Sequence, residues 1–400
     1  MRILIIWGES LAKPGGGTVH LLGLYRGLRR LGHDVHVISP LYEGQELTDP
    51  EIVSAGEAIR VGPRGMKSFL KFQVHSVLRL RRWIKQFRPD AVYVRTCFFQ
   101  GWQAIISRLR GVPLVGEVDS MVDVEMRLRG ESRIAAALMP TVDRFNNLFS
   151  SGLACVTDGL RDESIHRWGR RRTTVTIPNG ANVDLMQPGD MAAARAELGL
   201  PADKVLLAWA GTIAPWQGLE LLVESARQLD AATARQVTYV VMGKGQLEGQ
   251  LKQDIAQGLQ DRFVLLGPGS TQRVHTLLAA CDAAVISFNA QSILRFGLSS
   301  LKFWDAVSMG LPVAVPDGSG LEHVVADLGV PGAYTIGDAK SLAGCIARIV
   351  QQVPTLRPRR QEIHQKVREK YSWDCVAKQL AEFLEELIHR RECRDRRERN

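Results

Sequence analysis

Residues 2–39, RILIIWGESLAKPGGGTVHLLGLYRGLRRLGHDVHVIS, contain the pattern that decides the fold. Arg2–Trp7 has the composition of a buried strand, residues 14–18 form a glycine-rich loop, and His20–Leu31 has the apolar spacing of an amphipathic helix. A second apolar run at Asp34–Ser39 completes a strand–helix–strand unit. The loop therefore follows the carboxyl end of a strand, which is where open α/β sheets bind their ligands.

Similar units follow along the chain. Apolar runs predict further strands, at 89–94, 111–119, 152–157, 173–178, 204–210, 237–242, 264–266, 283–287 and 312–316. A turn-rich stretch at 178–190 interrupts this pattern and predicts a domain junction. We therefore expect two doubly wound α/β domains facing a central cleft. Their predicted bounds are 1–180 and 181–370, followed by a helix at 371–390 and a disordered basic tail at 391–400.

The second half contains the stretch with the clearest binding chemistry, GLSSLKFWDAVSMG at 297–310. It predicts a short loop leading into a helix, with Ser299 or Ser300 as the capping residue. Lys302 then falls in the first helical turn, where a cation is unfavourable unless an anion such as phosphate is bound. Asp305 lies among apolar residues, and its carboxylate suits two adjacent hydroxyls, such as those of a ribose. A plain amphipathic helix with solvated Lys302 and Asp305 is the alternative.

Composition limits the other possibilities. The chain has 400 residues and is 45% hydrophobic, and it contains no apolar run long enough to span a membrane. The first apolar run is too short for a signal peptide, and the six cysteines are scattered without a CxxC pair. These features favour a cytoplasmic protein. No spacing of histidines or cysteines indicates a metal site, and no bound cofactor is predicted.

Several segments resemble the retaining glycosyltransferases of family 4, which have the GT-B fold. The resemblance lies in five segments taken in order: the glycine-rich loop with Leu31–Val35, the Ile177–Asp184 segment IPNGANVD, the turns around Gly211 and Gly218, the 299–310 helix, and Tyr371–Trp373. It runs from residue 1 to about residue 390. The resemblance implies two Rossmann-like domains, with the final helix crossing back to the N-terminal one.

The chain departs from the family pattern at several positions. The acidic residue of the last motif is Asp305 instead of glutamate, and the first glutamate of the fuller motif falls at Gly297. The usual basic pair falls at Thr212 and Gln217, and the histidine of the cleft falls near Asp119. Neutralisation of a diphosphate would then depend on Lys302, other nearby cations and backbone N–H groups.

The resemblance implies transfer of a sugar from a nucleoside-diphosphate sugar to a saccharide or lipid-linked acceptor, with retention of anomeric configuration and without a metal. The implied catalytic residues are Asp119, Glu117 and Lys302. The implied donor-binding set comprises Gly16, Gly17, Gly211, Thr212, Gln217, Lys244, Arg295, Ser299, Ser300, Leu301, Lys302 and Asp305.

Two other functions remain open at this point. The first is a nucleotide-sugar 2-epimerase-like isomerase, which would release nucleotide without consuming an acceptor. The second is a non-catalytic GT-B subunit that supports a partner enzyme, and the missing basic pair and glutamate favour it. Nucleic acid is not expected as a partner, because the formal charge of +9 is divided among separate clusters and the sequence shows no nucleic-acid-binding module.

The basic clusters suggest an anionic membrane surface as a partner. Arg79, Arg82 and Lys85 share one face of a predicted helix at 77–87, and Trp83 and Phe87 share another. Cations beside aromatic residues suit an acidic lipid surface, so we expect peripheral binding to the inner face of the membrane. The alternative is that Trp83 and Phe87 belong to the core. Other basic clusters lie at 170–172 and in the tail.

Overall fold

The computed structural model describes residues 1–12, 15–47, 49–169, 173–288, 295–330 and 332–397. Pro14 of the predicted loop and the basic residues 170–172 lie outside these ranges. The described chain divides into two compact units. Unit 1 comprises Met1–Gly180 and Trp373–Asn400, and unit 2 comprises Ala181–Ser372.

The strands and helices alternate along the chain, as is typical of parallel α/β sheets. The strands are β1 (Arg2–Trp7), β2 (Asp34–Tyr42), β3 (Gly56–Gly62), β4 (Ala91–Arg95), β5 (Leu114–Val118), β6 (Gly152–Cys155), β7 (Thr174–Thr176), β8 (Val205–Thr212), β9 (Val237–Lys244), β10 (Phe263–Gly267), β11 (Ala283–Val285), β12 (Val313–Pro316) and β13 (Ala333–Tyr334). The helices are α1 (Gly16–Arg30), α2 (Pro50–Ala55), α3 (Met66–Phe87), α4 (Gln100–Leu109), α5 (Val122–Leu128), α6 (Arg133–Phe149), α7 (Asp158–Trp168), α8 (Met191–Leu198), α9 (Leu219–Arg227), α10 (Ala231–Gln236), α11 (Glu248–Ala256), α12 (Thr271–Ala280), α13 (Leu301–Ser308), α14 (Leu321–Asp327), α15 (Ala339–Leu356), α16 (Arg360–Tyr371) and α17 (Trp373–Arg397). Short 3₁₀ turns include Pro215–Gln217.

Each unit is built on its own parallel sheet. Within the described residues, unit 1 has seven strands in the order β3-β2-β1-β4-β5-β6-β7, and unit 2 has six in the order β10-β9-β8-β11-β12-β13. In both sheets the first strand of the unit lies in the interior and the chain winds outward on both sides of it. This confirms the predicted pair of doubly wound α/β folds.

The long C-terminal helix α17 belongs to unit 1, where it packs on α1. The Trp373 ring lies 5.1 Å from the ring of His20 between centroids. A Cβ added at Gly23 would lie 2.3 Å from the Trp373 ring, and one at Gly27 would lie 2.7 Å from the Cβ of Ala377. Glycines one turn apart therefore allow the two helices to touch, which confirms that the final helix returns to the N-terminal domain. It also runs to Arg397, past the predicted end at residue 390.

Helix α3 is twice as long as the predicted 77–87 segment, and its aromatic residues do not face solvent. Trp83 is 4% exposed in the core of unit 1, and its indole N–H donates to Glu57 at 3.2 Å. Phe87 is half-buried against the ring of His36, at 5.2 Å between centroids. The expectation that Trp83 and Phe87 contact lipid is therefore wrong, because both rings complete the apolar layer under β2 and β3.

The part of the chain that the structure describes contains no helix that is long and apolar enough to cross a bilayer.

Candidate functional site

The amino end of helix α13 has free backbone donors. Ser300 occupies the N-cap position with an extended backbone, but its hydroxyl does not cap the helix, so that detail of the prediction is wrong. The Ser300 carbonyl accepts the N–H groups of Phe303 and Trp304, at 3.0 and 3.2 Å. Within the described residues, the N–H groups of Leu301 and Lys302 have no hydrogen-bond acceptor. Open N–H groups at the positive end of a helix favour an anion.

Lys302 extends over the carboxyl end of β8. Its ammonium donates to the side-chain carbonyl of Gln217 and lies 4.7 Å from the centroid of the Trp209 ring. A Cβ added at Gly211 would lie 2.9 Å from the Lys302 Nζ, and Gly211 has a φ of +153°. The backbone conformation therefore favours glycine at that position, and a larger residue would also displace the Lys302 ammonium. Burial lowers the pKa of Lys302 to about 8, and none of the described carboxylates pairs with it.

Asp305 lies one turn further along the same helix, partly buried beside Phe303 and Trp304. Burial raises the pKa of its carboxyl to about 7. Among the described residues neither carboxylate oxygen has a hydrogen-bond partner, and the group does not form an ion pair with Lys302. Two partly buried ionisable groups of opposite sign that leave each other unpaired are unfavourable, so they indicate a site for a ligand with matching groups.

The other predicted donor residues divide into three groups. Thr212 and Lys244 are register partners at the ends of β8 and β9, beside Gly211. Leu301 begins α13 and Ser299 lies two residues before it. Arg295 stacks on the ring of Phe296, with its guanidinium carbon 4.5 Å from the centroid. The structure thus brings Gly211, Gln217 and Lys302 into contact.

Gly16 and Gly17 begin helix α1 in unit 1. A Cβ added at Gly17 would lie 2.0 Å from a carboxylate oxygen of Glu9, so a larger residue there would displace the Glu9 side chain. The role of Gly16 and Gly17 in donor binding stays a prediction.

Unit 1 has a buried ionic cluster at the carboxyl ends of β4 and β5. The Glu117 side chain is 1% exposed, with Oε1 2.9 Å from the Arg95 Nε and Oε2 3.2 Å from the His20 Nε2. The Tyr93 hydroxyl also donates to Glu117. Burial alone would raise the pKa of Glu117, but the facing His20 and Arg95 outweigh it and lower the pKa to about 2. Glu117 is therefore an ionised anchor that holds its neighbours in place. Its Oε2 contacts His20 and Tyr93, and its Oε1 is paired with Arg95 by charge without the geometry of a hydrogen bond.

Asp119 lies one residue beyond β5 and is exposed. Its Oδ2 accepts from the Arg95 Nη2 at 2.8 Å. The Arg95 guanidinium is also 3.6 Å from Glu9 and stacks 4.6 Å above the Trp7 ring. Of the two predicted carboxylates, Asp119 is the one that a substrate can reach.

Sequence reasoning missed Arg95 and His20, which together hold Glu117. Arg95 is the last residue of β4, and Asp119 directly follows the last residue of β5. The rule that ligands bind at the carboxyl ends of parallel strands therefore applies to Arg95 as well as to Asp119. His20 lies on α1 and faces Glu117. The position of the family's cleft histidine, expected near Asp119, stays a prediction. No metal-binding group of three His, Cys, Asp or Glu side chains is found in the described residues.

The shifted pKa of Asp305 predicts a pH-dependent stability. Because the folded-state pKa is raised to about 7, the associated stability is fully present below pH about 4 and is lost as the pH rises through 7. Asp305→Asn lacks this titration. The melting temperature of the variant minus that of wild type should therefore be about 2–4 °C larger at pH 8 than at pH 5, which corresponds to roughly 1 kcal/mol of stability in a unit of this size. Calorimetric melting at both pH values measures it, with the exposed Asp203→Asn as control. A melting difference that is the same at both pH values would contradict the burial of this charge.

Two family models match the chain in succession. The model described as Glycosyltransferase Family 4 matches residues 14–185, and the model described as Glycosyl transferases group 1 matches residues 204–352. A D-inositol 3-phosphate glycosyltransferase of Geodermatophilus obscurus is 31% identical over 384 residues, covering 87% of this chain and 81% of that protein. A phosphatidyl-myo-inositol mannosyltransferase of Mycobacterium leprae is 25% identical, covering 96% of each chain. Against the D-inositol 3-phosphate glycosyltransferase of Mycobacteroides abscessus the match is 34% identical and spans only 36% of that protein.

Solved structures show the same fold. HepE of Anabaena in complex with UDP superposes with a TM-score of 0.70 at 20% identity, over 96% of this chain and 100% of that one. A sucrose-phosphate synthase of Thermosynechococcus elongatus gives a TM-score of 0.73 at 18% identity, over 97% and 99%. The two parallel α/β units and these superpositions show the GT-B fold, and the two family models with the relative that is 31% identical show a glycosyltransferase. The chain belongs to glycosyltransferase family 4.

Proposed function

We propose that unit 2 binds the nucleoside diphosphate of a nucleotide-sugar donor at helix α13, and that unit 1 binds the acceptor. The observation that carries this proposal is the pair Lys302 and Asp305, which are partly buried and ionisable and are matched by no opposite charge among the described residues. A diphosphate supplies the negative charge that Lys302 lacks. A ribose diol supplies two donors for the oxygens of Asp305.

The transfer reaction needs a group that stabilises the leaving diphosphate as its charge develops. Lys302 and the open N–H groups of Leu301 and Lys302 provide positive charge and donors in one place. Gln217 stands where the family has a basic residue, and it positions the Lys302 ammonium by accepting its hydrogen bond. These groups supply the neutralisation without a metal ion. As in the resembled family, we propose that the product keeps the anomeric configuration of the donor.

Transfer assays with UDP-, GDP- and ADP-sugars test this proposal. We expect activity with one donor to persist after treatment with EDTA, and proton NMR of the product to show the anomeric configuration of the donor. An absolute requirement for Mg²⁺ or Mn²⁺, or an inverted product, would show that the leaving group is stabilised in another way.

We further propose that the acceptor is a saccharide, a cyclitol or a lipid-linked form of either, and that unit 1 docks on an anionic membrane through α3. The outer face of α3 carries an exposed apolar row at four-residue spacing, formed by Met66, Leu70, Val74 and Leu78. Met66 is 65% exposed and Leu78 is 74% exposed. This row spans about 18 Å at the rise of an α-helix.

Cations surround the apolar row. Six exposed basic side chains lie on α3, namely Lys67, Lys71, Arg79, Arg81, Arg82 and Lys85, and its sequence contains no Asp or Glu. None of the six forms an ion pair within the described residues. Each Lys or Arg near an anionic surface contributes about 1 kcal/mol, and the apolar row can enter the headgroup region beside them. These observations support a lipid surface as the partner of α3.

Flotation with vesicles tests the membrane contact. We expect wild type to float with acidic phospholipid at low salt, to be released by high salt, and to stay in solution when Arg79, Arg82 and Lys85 are changed to Glu. The control changes Lys252, Arg273 and Lys340 of unit 2 to Glu, which alters the net charge equally and should leave flotation intact. Equal loss in both triple variants, or no binding by wild type, would exclude α3 as the docking surface.

A further inference from the structure

Unit 1 contains a cavity of about 370 Å³ beside the ionic cluster, lined mainly by acidic and amide groups. Helices α5 and α6 and the residues after β4 and β5 form its walls. The carboxylates among its lining residues are Glu9, Glu117, Asp119, Glu125 and Asp143, and the one lining cation is Arg129. The negative groups outnumber the positive ones even when Arg95, which pairs with three of them, is counted.

Most of these carboxylates are already engaged. Glu117 and Asp119 bind Arg95, and Glu9 accepts from the Thr96 hydroxyl at 3.3 Å. Glu125 accepts from the Ser120 hydroxyl at 3.0 Å and from Arg129 at 2.9 Å. These contacts fix the walls and leave little capacity for a strongly basic ligand.

Asp143 is the exception. It lies on α6, partly buried, and within the described residues its carboxyl has no hydrogen bond and no ion pair. The positive charge of Arg167 lowers the pKa of Asp143, but Arg167 itself is paired with Asp123 at 3.0 Å and with Glu163 at 2.7 Å. Burial, with a contribution from Asp123, raises the pKa of Asp143 to about 7. The group is therefore free to donate or to accept a hydrogen bond near neutral pH.

We propose that this cavity holds an uncharged polyol ring of the acceptor, that Asp143 hydrogen-bonds one of its hydroxyls, and that the surrounding carboxylates exclude a ring bearing a phosphate. The inference rests on the proposed acceptor role of unit 1 and names the chemistry that the site selects. A phosphate monoester would enter among like charges, and Arg129 is the single lining cation and is already paired. A lipid-linked acceptor fits this proposal if its phosphate stays outside the cavity.

Saturation-transfer NMR tests the proposal with defined probes in the presence of UDP. The neutral probes are myo-inositol, mannose and glucose, and the anionic probes are myo-inositol 1-phosphate, mannose 6-phosphate and glucose 6-phosphate. We expect at least one neutral probe to bind more tightly than its phosphate ester. Asp143→Ala should weaken the neutral probe about fivefold, as for the loss of one hydrogen bond.

Two further variants sharpen the test. Asp143→Asn keeps a hydrogen-bonding group and should retain the neutral probe while narrowing the preference over the phosphate ester. Glu131 is exposed and lies outside the cavity, so Glu131→Ala should change neither the affinity for the neutral probe nor its preference over the phosphate ester. The inference would be overturned if the phosphate esters bind as well as the neutral probes, or if no neutral probe binds. It would also be overturned if Asp143→Ala binds the neutral probe as tightly as wild type does. The UDP signal is recorded in the same samples, so failure of the donor proposal is seen separately.

Discussion

Arg95→Ala is expected to lower the free energy of unfolding of unit 1 by about 3–5 kcal/mol, the usual effect of removing one partner from a buried ion pair. Arg95 holds the ionised Glu117 at 2.9 Å, reaches Asp119 at 2.8 Å and covers the Trp7 ring. Without it, the described partners left to Glu117 in this buried site are His20 and Tyr93. Urea denaturation followed by tryptophan fluorescence measures the change.

Two comparisons show whether the buried charge is the cause. Arg161→Ala removes an arginine that pairs with the exposed Asp158 and Asp162, and it should cost at most about 1 kcal/mol. The double variant Arg95→Ala with Glu117→Gln should be more stable than Arg95→Ala alone, because the uncompensated charge is gone. Equal losses for Arg95→Ala and Arg161→Ala, or no recovery in the double variant, would contradict the anchor role of Glu117.

Asp305→Ala should weaken transition-state binding by about 2–4 kcal/mol, since it removes the only acceptor proposed for the ribose hydroxyls and leaves them unpaired. This corresponds to a loss in kcat/KM of roughly 30- to 1000-fold. Folding should survive, because alanine favours the helix and an unpaired carboxyl is removed from an apolar site. Steady-state transfer rates with the preferred donor measure the effect.

Asp327→Ala is the matched control for this variant. Asp327 is an aspartate of unit 2 at the end of α14, and its carboxylate binds Lys370 at 2.7 Å at the surface. Its removal should leave kcat/KM within about twofold of wild type, as expected for an exposed ion pair. Unchanged donor affinity and turnover in Asp305→Ala would remove Asp305 from the donor site.

The periodic parts of the fold could be predicted from the sequence, and the irregular parts could not. The apolar run at Arg2–Trp7 gave the bounds of β1, because a strand buried on both faces is continuously hydrophobic. Strand β3 was missed because Glu57 and Arg60 interrupt its apolar pattern at the edge of the sheet. Strand β13 has only two residues, Ala333 and Tyr334, and offers no pattern to detect.

The residues of the candidate site likewise include some that could be predicted from the sequence and some that could not. Lys302 and Asp305 were found because a helix start and an apolar neighbourhood are local features of one segment. Arg95, His20 and Asp143 were missed because their roles arise from contacts between distant segments, as in the His20–Glu117 pair. The Trp83 error has the same origin: helical spacing shows which residues share a face, but only the packing shows which face is buried.

The central claim is that Lys302 and the start of α13 bind a nucleoside diphosphate. Titration calorimetry of UDP, GDP and ADP, each compared with its nucleoside, measures this most directly in wild type and in Lys302→Gln. Since burial lowers the pKa of Lys302 to about 8, wild-type affinity for the preferred diphosphate should fall as the pH rises from 7 to 9. Lys302→Gln should bind the diphosphate more weakly and without that pH dependence, while its nucleoside affinity stays near wild type. Equal diphosphate affinity and an equal pH profile in the two proteins would contradict the claim.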